Sequence, residues 1–221
     1  MIRFFKKHRP EYPDFWKAYE AKFSEKLPEF IDENEFIILD TETTGFDYDK
    51  DRILCIGAVK LKSNTIEVAN AFEIYLHQEQ FNPETVKIHG IVKNDPENTA
   101  TEAEAIQQFL DYIGNAVLVA HHANFDIGMV NHALKRLQLP KLKNKVLDTM
   151  TLYRATRINS NLIDRNKHYS LDELAENLNI SLKDRHTASG DAMITAIAFL
   201  KTISRLYKNE RGKLKDLFKI K

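Results

Sequence analysis

Four carboxylates at three places along the chain are the residues best suited to do chemistry. Asp40 and Glu42 end the apolar stretch 36–39, which is too short for a helix and predicts a buried strand. Residues i and i+2 of a strand point to the same side, so these two carboxylates lie together and repel each other. A hard divalent cation, which prefers oxygen ligands, is the usual compensation.

Two further acids, Asp126 and Asp191, stand at comparable places. Asp126 lies near the start of a helix just beyond the apolar stretch 116–120, and Asp191 lies in the start of a long helix. Open α/β sheets place ligands at strand ends, so the four carboxylates are predicted to face one cavity. That much negative charge requires cations. Because no matching set of cysteines or histidines accompanies the acids, Mg²⁺ or Mn²⁺ is favoured over Zn²⁺.

His186 completes the predicted constellation. Two divalent ions held by the acids would clamp the attacking and leaving oxygens of a phosphodiester. His186 lies five residues before Asp191 and could take a proton from the attacking water. A lone histidine is more often structural, so this hypothesis depends on the acids around it.

The elements that must position these residues are predicted from apolar runs and turn signals. The short link 62–64 predicts an antiparallel hairpin between the second and third strands. The third strand alternates and predicts one shared face for Ile66, Val68, Phe72, Ile74 and Leu76. Five strands are predicted, at 36–39, 53–61, 65–76, 116–120 and 145–148.

Capping signals predict where several helices begin. Thr99 and Glu102 fit a capping box, and Ser170 and Glu173 fit a second one. Asp148 is predicted to cap the helix after the last strand rather than to join the acidic site. A short helix is expected from Asn82 to about His89, and the polar stretch 159–167 is expected to be a mobile loop.

The chain is predicted to have three parts. Residues 1–34 form a helical extension, 35–208 the main domain and 209–221 a basic tail that is expected to fray. In the extension, apolar residues recur every four positions and predict a helix that packs on the main domain. A docking helix for a partner is the alternative. The stripe consists of Phe15, Tyr19, Phe23 and Leu27.

Composition limits the function classes. Lys plus Arg equals Asp plus Glu, 32 against 32, which argues against a nucleic-acid partner held by bulk charge alone. Cys55 is the single cysteine, so an internal disulfide is excluded and a reducing cytoplasm is expected. No apolar run approaches the length of a membrane span, so no membrane partner is expected.

Three segments resemble the motifs of the DnaQ-like exonuclease superfamily, in the DEDDh branch with four acids and a histidine. Residues 40–46 resemble the first motif, 121–126 the second, with His122 where Asn is usual, and 186–191 the third. The segment 88–91 is also similar to the epsilon proofreading subunit of bacterial DNA polymerase III. Ser189 and Gly190 stand where a larger residue is usual, so a looser wall is expected there.

The resemblance implies a ribonuclease-H-like α/β fold, with a mixed five-stranded sheet and helices on both sides. It implies 3′→5′ hydrolysis of single-stranded nucleic acid to nucleoside 5′-monophosphates, with DNA favoured over RNA and a DNA polymerase subunit as a candidate partner. It also implies two Mg²⁺ or Mn²⁺ on the four acids and His186 as general base. The substrate-binding residues that it implies are Thr43, Thr44, Gly45, Phe46 and His89.

Two alternatives remain open at this stage. The first is the same chemistry on RNA, as in oligoribonuclease or RNase T, because no residue here decisively reads a 2′-hydroxyl. The second is a non-catalytic nucleic-acid-binding or polymerase-binding module, since fold does not fix function. The five reacting positions all hold competent residues, which favours an enzyme.

Overall fold

The computed structural model describes residues 11–79, 82–91, 98–157, 167–208 and 210–220. Its five strands are β1 Glu35–Thr43, β2 Ile53–Lys62, β3 Thr65–Tyr75, β4 Val117–Ala120 and β5 Val146–Asp148. They form one sheet in the order β3-β2-β1-β4-β5. The β1–β2 and β2–β3 pairs are antiparallel, whereas β1–β4 and β4–β5 are parallel. The mixed five-stranded sheet and its predicted hairpin are therefore confirmed.

Helices cover both faces of this sheet. They are α1 Asp14–Ala21, α2 Pro83–His89, α3 Glu102–Ile113, α4 Asn124–Arg136, α5 Thr149–Ala155, α6 Leu171–Leu178, α7 Ala188–Tyr207 and α8 Leu214–Leu217. On β1, Ile37 and Leu39 belong to the core that contains α3 and α4, whereas Phe36 and Ile38 belong to the core that contains α7. A strand buried on both faces is apolar throughout rather than alternating, as the sequence of β1 shows.

The helical extension packs on the main domain, as predicted. Trp16 and Tyr19 of α1 are fully buried in the core that includes α3. The Tyr19 hydroxyl donates to Asn144 Oδ1 at 2.6 Å, which ties the helix to the start of β5. The predicted apolar stripe of this helix was only partly correct. The helix α1 ends at Ala21, before Leu27, and the buried Trp16 was not among the predicted residues.

The first predicted capping box was two residues too early. The box forms between Thr101 and Glu104, and α3 begins at Glu102. The reason is non-local: Ala100 is held extended by a bridge to Leu76, which delays the helix. The second box, at Ser170 and Glu173, forms as predicted.

Val68 does not share the buried face that was predicted for it, because its side chain is 62% exposed. The pairing of β2 with β3 is irregular between Ala58, which pairs with Phe72, and Lys60, which pairs with Glu67. The extra residues of β3 in this interval bulge out, and a bulge changes which face a side chain occupies. Alternation alone could not reveal the bulge.

The C-terminal tail is packed, so the expectation that it frays was wrong. Leu214 and Leu217 of α8 are buried in the same core as Phe36. The tail is held by what we call the terminal clasp, residues 29–33 together with 211–214. In the clasp, Phe30 bridges to Lys213 and the Arg211 guanidinium lies 3.9 Å from the centre of the Phe30 ring.

Some predictions fall outside the described residues. The expected mobile loop 159–167 lies there except for Lys167, as do the first ten residues of the extension. Within the described ranges, no helix combines the length and the apolar character needed to cross a membrane.

Candidate active site

Three of the four predicted carboxylates meet at the end of β1. Asp40 and Glu42 lie on the face of β1 that α7 covers, and Asp191 lies in the first turn of α7. One oxygen from each of Asp40, Glu42 and Asp191 lies within 4.8 Å of the other two. The strand end and the helix start thus bring together acids that are 149 residues apart in sequence, from Glu42 to Asp191.

Asp126, the fourth acid, reaches the same place from α4. Its buried Oδ1 accepts two hydrogen bonds from Thr41, one from the backbone N–H at 2.9 Å and one from the hydroxyl at 2.7 Å. Thr41 stands between Asp40 and Glu42, so these bonds fix Asp126 beside both. Thr41 was not predicted as a site residue, although its place between two acids was a signal.

Burial dominates the electrostatics of the four acids. It raises the pKa of Asp40 well above its usual range, and repulsion from Asp126, Asp191 and Glu42 adds to the effect. Burial also raises the pKa of Glu42 to about 7 and that of Asp126 to about 7, although the bonds from Thr41 oppose the shift of Asp126. The pKa of Asp191 is raised by burial as well, against the effect of the nearby Arg185.

These groups fit a hard divalent cation. The cluster offers only carboxylate oxygens, the ligand type that Mg²⁺ and Mn²⁺ prefer, and in the described part of the chain no histidine or cysteine joins it. Burial and mutual repulsion raise the pKa of Asp40 and that of Glu42, and the charge of Arg185 only partly offsets them. A bound cation would favour the ionised carboxylates and remove the repulsion.

The wall near Asp191 is not looser, contrary to what Ser189 and Gly190 suggested. A Cβ on Gly190 would lie 1.9 Å from the carbonyl oxygen of Asp184. The backbone of the loop 183–187 therefore fills the space that a larger side chain would take. This loop turns through positive φ at Asp184 and at His186, 64° and 66°. It leaves the His186 side chain exposed at the rim of the site.

Arg185 is a residue of the site that the sequence analysis did not single out. Its Nη1 donates to Asp191 Oδ2, and its Nε donates to Asp172 Oδ1 at 2.6 Å. Its Nη1 also lies 3.5 Å from His186 Nδ1. The available signal was a basic side chain next to the predicted base in a pocket of four acids.

An open cleft of about 530 Å³ lies above the acids. Phe46, 77% exposed, stands at its edge with its ring centre 5.5 Å from that of Phe125. Thr44 and Gly45, predicted to contact substrate, do not line the cleft. Thr44 instead donates to Asp51 at 2.8 Å and supports the loop after β1. The predicted residues that do line it are Asp40, Glu42, Thr43, Phe46, His89, Asp126, His186 and Asp191.

Histidines outside the acidic cluster shape the cleft walls. His89 Nδ1 accepts from the N–H of Ile91 at 3.0 Å, which orients the ring, and burial lowers the pKa of His89. His121 bonds Thr149 Oγ1 at 2.9 Å and the Tyr169 carbonyl at 2.8 Å. Burial, with the neighbouring His122, lowers the pKa of His121 to about 4, so it is a neutral structural link.

Asp148 caps α5, as predicted, and does not join the acid cluster. Its Oδ1 accepts from the N–H of Met150 at 2.8 Å, and its Oδ2 accepts from the N–H of Ala123 at 2.9 Å. It therefore also holds the turn that leads into α4 and Asp126.

A larger cavity, about 710 Å³, lies at the far end of α7 beside Tyr207 and Arg211. It holds none of the clustered acids. The chemistry therefore assigns the candidate active site to the smaller cleft, since a site is recognised by convergent reactive groups rather than by volume.

Comparison with known proteins identifies the family of the chain. The sequence profile of an exonuclease family matches residues 37–199. The chain belongs to this exonuclease family. The predicted DnaQ-like superfamily and the prediction of an exonuclease are thereby confirmed.

Relatives of the exonuclease include long and short proteins. The chain is 36% identical over 175 residues to a PolC-type DNA polymerase III from Caldanaerobacter subterraneus. The alignment covers 79% of this chain but only 12% of that protein. The chain is 30% identical over 183 residues to a DNA polymerase III subunit epsilon from Aquifex aeolicus, covering 82% of this chain and 87% of that one. The chain thus spans about an eighth of the PolC-type relatives.

A solved structure has the same fold. Exonuclease I of E. coli, in complex with a dT13 oligonucleotide, superposes with a TM-score of 0.65 at 19% identity, covering 80% of this chain and 43% of that one. This likeness confirms the ribonuclease-H-like fold.

Gly57 sets how closely α7 approaches the sheet. It pairs with Asp40 across β1 and β2. A Cβ on Gly57 would lie 2.2 Å from the carbonyl carbon of Ala188, in the first turn of α7. Only a glycine lets this turn, which carries Asp191, lie directly against Asp40.

We expect Gly57→Ala to push the first turn of α7 away from β1 and so to separate Asp191 from Asp40. Mn²⁺ affinity, measured by calorimetry, should fall by about tenfold or more because one ligand leaves the cluster. Ala58→Gly on the same strand is the control, since it removes a methyl group on the opposite face. Unchanged Mn²⁺ binding by Gly57→Ala would show that the turn can shift without cost.

We also expect the metal-free protein to lose stability as pH rises. Acids with raised pKa values stabilise the fold fully below their unfolded pKa, about 4, and lose that contribution as pH rises through the folded value. For Glu42 and Asp126 that value is about 7. In EDTA, Tm should therefore fall between about pH 5 and pH 7.5, and Mn²⁺ should restore it.

Glu42→Gln tests the origin of this pH effect, because it removes one of the two carboxyl groups, Glu42 and Asp126, whose pKa is about 7. It should flatten the fall of Tm in EDTA, whereas Asp47→Asn, at an exposed acid of the nearby loop, should not. If the slope is the same in Glu42→Gln and in the wild type, the acids do not set the pH dependence.

Proposed function

We propose that the protein is a metal-dependent 3′→5′ exonuclease that hydrolyses single-stranded DNA ends to nucleoside 5′-monophosphates. The observation that carries this proposal is the convergence of Asp40, Glu42 and Asp191 within 4.8 Å, with Asp126 fixed beside them. Family membership favours the reaction class. The open cleft above the acids, with an exposed aromatic ring at its edge, favours the end of a single strand as substrate.

The four carboxylates are proposed to hold two Mg²⁺ or Mn²⁺ ions, directly or through water. When bound, these ions supply positive charge to the attacking and leaving oxygens of the phosphodiester. The protein contributes the geometry: Thr41 holds Asp126, and Gly57 allows Asp191 to reach Asp40.

His186 is proposed as the general base. Its imidazole is exposed at the cleft, five residues before Asp191, and its backbone N–H points to Asp191 Oδ1 at 3.4 Å. The backbone of His186 is therefore held beside the acid cluster, and its imidazole ring can reach a water in the cleft. A neutral imidazole nitrogen would take the proton of that water as the oxygen attacks phosphorus.

The terminal nucleotide is proposed to lie between Phe46 and the helix α2. Phe46 offers an exposed ring for stacking on a base, which is worth about 1–3 kcal/mol per base in single-strand binding. Ile88, 54% exposed, and His89 of this helix line the same cleft as Phe46. Stacking of this kind needs an unpaired base, so single strands and frayed ends are the expected substrates.

DNA is favoured over RNA because the relatives are named as DNA polymerase III proteins. The same names favour a role in proofreading or repair, with a DNA polymerase subunit as partner. The buried free thiol of Cys55 is compatible with action in the cytoplasm. Hydrolysis of RNA by the same site is the second candidate and becomes an outcome of the test.

The test compares digestion of 3′-labelled and 5′-labelled single strands, duplex DNA with mismatched 3′ ends, and short RNA. We expect mononucleotides released from the 3′ end of single-stranded DNA in Mg²⁺ or Mn²⁺ and no release in EDTA. Asp40→Asn should lower turnover by orders of magnitude because it removes one charge from the metal cluster.

Asp47→Asn is the matched control, since Asp47 is an exposed acid of the adjoining loop, paired with Lys50. It should retain wild-type turnover. Undiminished hydrolysis in excess EDTA, or by Asp40→Asn, contradicts the proposed mechanism. Faster digestion of RNA than of DNA would replace the substrate with the second candidate.

The role of His186 gives a separate prediction. His186→Ala should lower kcat about 10²–10⁴-fold, the usual contribution of a general base. Affinity for single-stranded DNA in Ca²⁺ should stay nearly unchanged because the carboxylates remain.

His168→Ala is the control for His186→Ala, because His168 is exposed and does not line the cleft. An equal fall in DNA affinity and in kcat would make His186 a substrate-binding or structural residue. No change in either would place the base elsewhere.

A further inference from the structure

A positively charged side chain already lies among the carboxylates of the candidate metal site. Arg185 Nη1 donates to Asp191 Oδ2, and Asp191 is one of the three acids whose oxygens cluster. The guanidinium is therefore bound to a carboxylate that a divalent cation would use. Both partners are largely buried, with side-chain exposures of 19% and 7%, so the contact is not a loose surface pair.

A second acid holds Arg185 from the other side. Its Nε donates at 2.6 Å to Asp172, in the first turn of α6, and the Asp172 side chain is 47% exposed. The guanidinium thus bridges one acid inside the metal cluster and one acid outside it. If the inner contact opens, the outer contact still holds the side chain.

The electrostatics show what Arg185 does in the absence of a metal. Its charge opposes the rise in pKa of Asp40, Glu42 and Asp191, so it partly compensates all three. Its backbone is fixed by the tight turn in which the Asp184 carbonyl sits over Gly190. The cation is therefore part of the folded site.

We propose that Arg185 is a built-in counter-ion that competes with the metal for Asp191, while Asp172 holds the guanidinium when Asp191 turns to the metal. This inference rests on the proposed metal-dependent function and adds residues that set metal affinity. Arg185 and Asp172 are positioning residues, since they act through Asp191.

The proposal predicts opposite effects at the two ends of the bridge. Without Arg185, a metal meets no competing charge at Asp191 and binds more tightly. Without the charge of Asp172, the guanidinium depends on Asp191 alone and yields less readily, so the metal binds more weakly. A role of Arg185 in simply aiming Asp191 at the metal predicts the reverse for Arg185, namely weaker binding on its removal.

The experiment measures Mn²⁺ binding by calorimetry with no nucleic acid present, together with Tm in EDTA. We expect Arg185→Gln to bind Mn²⁺ about tenfold more tightly than the wild type, because a largely buried charge contact has been removed. Its Tm in EDTA should be lower, since the acids lose their compensation. Asp172→Asn should bind Mn²⁺ several-fold more weakly.

Two further variants serve as controls. Arg205→Gln removes an exposed arginine near the far end of α7, beside the larger cavity, and should leave Mn²⁺ affinity unchanged. Arg185→Lys keeps the charge but cannot bridge two carboxylates in the planar guanidinium geometry. It should remain closer to the wild type than Arg185→Gln in Mn²⁺ affinity.

Each result has one meaning. Equal or weaker Mn²⁺ binding by Arg185→Gln overturns the competition, and so does tighter binding by Asp172→Asn. If Arg185→Gln does not fold, Asp172→Asn still decides the question. A wild type that binds no Mn²⁺ overturns both this inference and the proposed function, whereas a wild-type site with unchanged affinity in Arg185→Gln overturns this inference alone.

Discussion

Repulsion among four carboxylates is the constraint on which the rest of the structure depends. Asp40, Glu42, Asp126 and Asp191 would separate if each were free to move, because burial strengthens the repulsion between them. Each is instead held by an element whose stability comes from elsewhere. The strand β1 is buried on both faces, α4 is anchored in one core, and α7 is anchored in the other. Packing in the two cores thus offsets the unfavourable free energy of bringing the four carboxylates together.

The long helix α7 shows how this works. Its first turn carries Asp191, and most of its length packs Ala196, Phe199 and neighbouring side chains against the sheet. Asp191 therefore lies at the end of a helix whose position is fixed by the packing of residues further along it. The residues that stabilise the helix are therefore separate from Asp191, and their packing keeps its unfavourable charge in place.

Local pattern was sufficient for the strands and for the identity of the four acids. Apolar runs that end in acids can be read directly from the chain, and the motif order indicates that the acids meet. Partners far apart in sequence were out of reach. The bridge from Ala100 to Leu76 moved the start of a helix, and an irregular β2–β3 pairing exposed Val68. Arg185 is close in sequence to Asp172 and Asp191, but only the folded loop brings its side chain to both. The tail was misjudged for the same reason, because its partners lie some 180 residues earlier, as with Arg211 and Asp32.

The terminal clasp has a mechanical consequence. Phe30 and Lys213 join the segment that enters β1 to the segment that leaves α7, close to the start of β1 and not to the end that bears the acids. Both segments therefore lie on one side of the domain. The ion pairs of Arg211 with Asp32 and Glu33 strengthen this connection. The entry to β1 and the exit of α7 are thus fastened to each other, and they can separate only if these contacts break.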